Sequence, residues 1–228
     1  MKNRKDFITY LIIAALIILA RLSLVISPVD HPLVKQSIFS WNWIICLLAG
    51  GAAALLLSSH AGFPTIWERG IRNKHRFGIP LLAGTVFFAV QLPISLALKI
   101  PNIHIPFPHS LPVYMMFAGL LEIFFHLIPI AVIVWVSSTL VFRRKWSDEI
   151  FWIGALLISL YEPLTQIGGL KAMGILPNLF WAVIMFAFIY LANLVPLFLF
   201  RRYGFMGNLV FRLTFYSLWH IIWPLIWF

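Results

Sequence analysis

Residues 7–26 read FITYLIIAALIILARLSLVI, twenty residues with one charge. At 1.5 Å rise per residue such a helix is about 30 Å long, the thickness of the hydrocarbon core of a bilayer. Lys2, Arg4 and Lys5 precede it, as in the charged start of a signal peptide. No small-x-small cleavage pattern follows, so the stretch reads as a retained transmembrane helix.

Six further stretches repeat the pattern, at 41–59, 78–98, 111–142, 149–162, 178–200 and 206–227. The expected fold is therefore an all-α, polytopic membrane bundle of about seven helices, forming one domain over 1–228. The stretch 111–142 is too long for one straight span, and Pro129 is expected to kink it. The stretch 149–162 is short and ends at Glu162-Pro163, where proline disfavours further helix. A broken or re-entrant piece through Gly168 and Gly169 is expected beyond it, because irregular backbone at membrane depth needs protein or a water-filled cavity around it.

Composition agrees with a membrane chain. Only 11% of the 228 residues are charged and 62% are hydrophobic, against about 25% charged residues in soluble domains; the mean hydropathy is +0.96. The net charge of +10 does not point to nucleic acid, because the basic residues fall in short clusters between apolar runs. Those clusters give an orientation. With the N-terminus cytoplasmic, inner loops hold Lys2, Arg4, Lys5, Arg69, Arg72, Lys74, Arg76, Arg143, Arg144, Lys145, Arg201 and Arg202, and outer loops hold Lys35, Lys99 and Lys171. Seven spans then put the C-terminus outside. Gly62 to Arg76, with Phe63, Ile66, Trp67 and Ile71, reads either as a strip along the inner headgroups or as a solvated loop. The proline-stiffened outer stretch 101–109 is expected to cover a cavity mouth. Cys46, the only cysteine, excludes an intrachain disulfide and reads as a small buried hydrophobe.

Within this apolar background Glu122, His126, Glu162 and His220 stand out, because an ionisable group in the bilayer costs roughly 3 kcal/mol and marks a functional site by default. Counted along their helices, the four fall in one slab of the outer half of the membrane, with His126, Glu162 and His220 about 20–24 Å from the inner end. Arg21 and Asn193 reach the same slab. Glu122 and His126, four apart, share one helix face. A Glu/His set from several helices suits a divalent metal, zinc above all, which polarises a carbonyl and activates a bound water. The opposing reading is an ordinary buried hydrogen-bonded pair, with Arg21 or Arg212 neutralising the carboxylate. Arg212, Tyr216 and His220 recur every four residues as an inward polar ladder, although Arg212 reads as a residue that snorkels to the inner headgroups.

Three stretches carry a resemblance: Gly119-Leu-Leu-Glu-Ile-Phe-Phe-His126, Ala155-Leu-Leu-Ile-Ser-Leu-Tyr-Glu162, and Arg202-Tyr-Gly-Phe through Leu218-Trp-His220. Over roughly 105–228 the chain resembles the CPBP family, the CAAX-protease and bacteriocin-processing or Abi proteins, whose catalytic members are glutamate-dependent, metal-assisted intramembrane endopeptidases. The family carries Glu-Glu-x-x-x-Arg, Phe-x-x-x-His and His-x-x-x-Asn/Asp motifs on separate helices. Glu122 matches the second glutamate and His220 the third motif's histidine. Leu121 stands for the first glutamate, His126 for the arginine, Ile158 and Glu162 for Phe and His, and Pro224 for Asn/Asp. The resemblance implies Glu122 as catalytic residue and Glu122, His126, Glu162 and His220 as zinc ligands, supported by Arg21, Asn193, Arg212 and Tyr216. It also implies a bacterial inner-membrane location and a membrane-protein or lipidated-peptide substrate. Two other functions fit the residues: a non-catalytic relative acting as partner or scaffold for a membrane protein, favoured by Leu121, and a small ion or proton carrier using Glu and His as a relay. The carrier reading lacks the inverted repeat of many transporters.

Overall fold

A computed structural model describes residues 4–31, 34–35, 39–60, 65–67, 70–143 and 145–227. Lys2, Arg69 and Arg144 of the charge argument, and Phe63, lie outside them. The described residues are helical throughout the spans and contain no strand: α1 (Arg4–Ile26), α2 (Trp41–His60), α3 (Asn73–Leu98), α4 (Ser110–Leu121), α5 (Ile128–Val134), α6 (Ser147–Ile158), α7 (Tyr161–Ala172), α8 (Leu179–Tyr203), α9 (Phe205–Tyr216) and α10 (Trp223–Trp227). Glu122–Leu127, Trp135–Val141 and Ser217–Ile222 are wound as π-helix. Joined through these, the helices make seven units long and apolar enough to cross a membrane: Arg4–Ile26, Trp41–His60, Asn73–Leu98, Ser110–Thr139, Ser147–Ala172, Leu179–Tyr203 and Phe205–Trp227.

The fourth unit is the centre of the bundle; 61% of its apolar window is buried, against 44% or less in the others. Lipid is as apolar as leucine, so helices in it associate by close packing, and small residues let backbones approach. Gly119 receives Ile17 of α1, and Gly84 of α3 lies so close to α9 that an added Cβ would sit 2.8 Å from the Phe211 carbonyl oxygen. The Tyr10 hydroxyl donates to the Leu48 carbonyl at 2.5 Å and ties α1 to α2. Leu11, Leu16, Leu81, Leu82 and Val183 face outward, as lipid requires.

Several local expectations change. The irregularity in the fourth unit is the π-helical turn before Pro129, which itself occupies the first turn of α5, where its missing N–H has no partner to lose. The fifth unit breaks at Ser159–Leu160 rather than after Glu162. Pro163 then sits in the first turn of α7, the one place a helix accepts proline freely, and Gly168 and Gly169 are helical. Cys46 is exposed rather than buried, because Ile44, Leu47 and Leu48 form the inward face of α2.

The segment around Trp67 is no solvated loop. Ile66 is completely buried. Asp6 accepts from the Thr65 hydroxyl at 2.9 Å and from the Trp67 backbone N–H at 3.0 Å. The Trp67 indole N–H donates to Thr9 at 2.8 Å, and Lys5 and Arg76 lie 4.3 and 4.8 Å from its ring. Burying the Asp6 carboxylate is affordable only because it is fully hydrogen-bonded there.

Candidate intramembrane site

Glu122 is the first residue of a π-helical turn and His126 lies within the same turn. Single π turns inside α-helices cluster at functional sites. Both side chains have no exposed surface. Their four-residue spacing brings His126 Nδ1 to 2.5 Å from Glu122 Oε2. The other oxygen, Oε1, accepts from Arg212 Nε at 2.5 Å, and Arg212 Nη2 donates to Asn193 Oδ1 at 3.1 Å. Asn193 is held in turn by donating to the Ile189 carbonyl at 2.8 Å. The Glu122 carboxylate and Arg212 guanidinium thus form an ion pair flanked by His126 and Asn193, the four side chains coming from three membrane-crossing units. Since the carboxylate oxygen only accepts, His126 Nδ1 is the donor to it; the second ring nitrogen is Nε2. That Nε2 is buried without a partner, as is Asn208 Oδ1, whose amide nitrogen lies 3.4 Å from Nδ1.

Arg212 does not snorkel. It is 2% exposed and turned into the bundle, because the attraction and hydrogen bonds of Glu122 outweigh the reach to the headgroups. Its guanidinium carbon is 5.7 Å from the Tyr216 ring. Arg21 stays apart: it lies over Trp41 at 5.6 Å.

His220 is placed one polar step away, with His104. Their Nδ1 atoms are 3.0 Å apart, so one donates to the other. Tyr114 stacks on the His220 ring at 4.1 Å with 16° between planes, and Tyr216 meets it at 4.9 Å. The Tyr114 hydroxyl is fixed by the Ile105 N–H at 3.0 Å. Tyr216 is the only link between this group and Arg212 among the contacts described above.

Glu162 sits at the start of α7. Its Oε1 accepts from Gln166 Nε2 at 2.5 Å, and its Oε2 is buried without a partner. It acts electrostatically on Arg212 and Tyr216. Of the site residues expected from sequence, Glu122, His126, Asn193 and Arg212 therefore meet directly, Tyr216 adjoins them, and Glu162 approaches from one side. Asn208, His104 and Tyr114 were not anticipated. Asn208 carried the same signal as Asn193, an amide in an apolar run; His104 lies in a proline-rich loop that gives no such signal.

Both Glu122 oxygens are already engaged, one by a fixed cation 2.5 Å away. Among the described residues no three His, Cys, Asp or Glu side chains gather as a metal needs. No family model matches the chain, and no curated protein or solved structure matches it either.

Proposed function

We propose that this seven-helix protein is a non-catalytic partner of another membrane protein, with the N-terminus cytoplasmic and the C-terminus outside in a bacterial inner membrane. In this reading the Glu122 centre is a structural keystone that holds three membrane-crossing units together. The observation that carries it is the closure of Glu122: Arg212 and His126 each engage one of its oxygens, so the carboxylate is neutralised and held within the bundle by this chain's own side chains. Support for a partner comes from α7, where Thr165, Gln166, Gly168 and Gly169 are exposed within an apolar crossing unit. Such a face is costly against lipid and is met by another protein.

A second reading, the metal-assisted intramembrane peptidase, is favoured by the two unpartnered buried atoms His126 Nε2 and Glu162 Oε2, both able to ligate. It requires Arg212 to leave Glu122. Photo-crosslinking in intact membranes separates the two. A crosslinker at Gln166 should trap one defined membrane protein, and one at Leu82, on the lipid face, should not. Stoichiometric zinc in the purified protein, lost in Glu122→Gln, would instead establish the peptidase.

A further inference from the structure

At the end of α3 a pocket of ≈ 280 Å³ is lined by Ser95, Lys99, His104, Trp219, Trp223 and Trp227, among others. Its polar groups have an unusual bias. Lys99 is its only charged side chain, no Asp or Glu lines it, and among the described residues Lys99 has no carboxylate partner. None of the three indole N–H groups donates to a protein acceptor among the described residues. Burial holds His104 down to about 4, so it is neutral at pH 7 and does not compete with Lys99 for an anion. The Ser95 hydroxyl already accepts from Gln91 Nε2 at 3.1 Å, which leaves its own hydrogen to donate.

The pocket is also fixed in place. Trp219 meets His104 edge-on at 5.3 Å, and Trp223 and Trp227 stack at 4.8 Å. Lys99 closes α3 in the left-handed conformation, with φ 49°, which points the chain into Ile100 and Pro101 of the rim. The outer wall opens onto apolar surface: Leu96 is 46% and Trp227 57% exposed. An ordinary aromatic belt sets single indoles at the interface; here three of them and a lysine enclose a cavity.

We propose that this pocket holds the anionic headgroup of a membrane phospholipid, its phosphate taken by Lys99 and the indole N–H groups and its acyl chains lying along Leu96 and Trp227. Donors without acceptors and one unpaired cation select an anion. The open apolar wall selects a lipid over a soluble phosphate.

Native mass spectrometry of the protein released from nanodiscs tests this. From equal mixtures of phosphatidylglycerol and phosphatidylcholine, the protein should retain phosphatidylglycerol preferentially. Lys99→Gln should reduce that preference about fivefold, the effect expected of one basic residue at a membrane surface. Lys99→Arg should keep it, which guards against a folding artefact, and Lys171→Gln on another outer loop should leave it unchanged. Glycerol 3-phosphate added in excess should not displace the lipid; if it does, a soluble phosphate ester is the occupant and the proposal is wrong. Equal retention of both lipids, or full preference in Lys99→Gln, overturns it as well.

Discussion

Arg212 reaches Glu122 across ninety residues of sequence, with Nε 2.5 Å from Oε1 and both side chains almost free of solvent. A buried ion pair need not stabilise relative to apolar packing, but removing one partner strands the other charge. Arg212→Met should therefore destabilise the protein by about 3–5 kcal/mol. Glu122→Gln should also destabilise it, because glutamine leaves the guanidinium without its counter-charge. The double variant should recover part of the loss. Thermal unfolding in detergent checks this; single variants as stable as the native chain would show that the pair does not hold the bundle together.

Gly84 sets the approach of α3 to α9. A Cβ there would lie 2.8 Å from the Phe211 carbonyl oxygen and 2.9 Å from Thr214 Cβ, and the carbonyl is backbone that does not swing aside. Gly84→Ala should cost about 1–3 kcal/mol through overpacking. Gly78→Ala on the same helix meets nothing within 4 Å and should be neutral or stabilising by up to about 1 kcal/mol. Melting temperatures of the pair decide it, and equal shifts would refute the close crossing.

His104 gives its end of the bundle a pH dependence. Burial lowers it from 6.5 to about 4. A group depressed in the folded state contributes stability that is full above its unfolded value and lost as pH falls through the folded one. The loop that carries His104 should thus weaken between about pH 6.5 and pH 4. His104→Gln should flatten that part of the curve. Hydrogen exchange at Ile105, whose N–H donates to Tyr114, reads the opening directly.

The proposed orientation rests on the distribution of basic residues. In a Cys46→Ser background, single cysteines at Lys145 and Lys171 should label from opposite sides of the membrane, Lys145 from the cytoplasm. Labelling of both from one side would remove the proposed topology between them.

The seven crossing units were legible in the sequence because length and hydropathy are local properties: 7–26 and 41–59 correspond within a few residues to Arg4–Ile26 and Trp41–His60. The Glu122–His126 contact was legible for the same reason, since residues four apart share a helix face whatever surrounds them. Which cation neutralises Glu122 was not. Arg21, at the same depth, and Arg212, which reads as snorkelling to the headgroups, were both candidates on the chain, and only the packing of α9 against α3 and the fourth unit chose Arg212. The partner of His220 was hidden too, because the π-helical turn Ser217–Ile222 departs from a 3.6-residue period and His104 arrives from an irregular loop. Pro163 misled because a proline reads as a helix end or a first turn depending on where the preceding helix breaks, and that break is at Ser159–Leu160. The sequence alone determined that this chain has seven stretches long and apolar enough to cross a membrane and which ionisable groups lie within them. Tertiary packing decided which of them meet, because buried charges settle on whichever partner the helix contacts bring within hydrogen-bond reach.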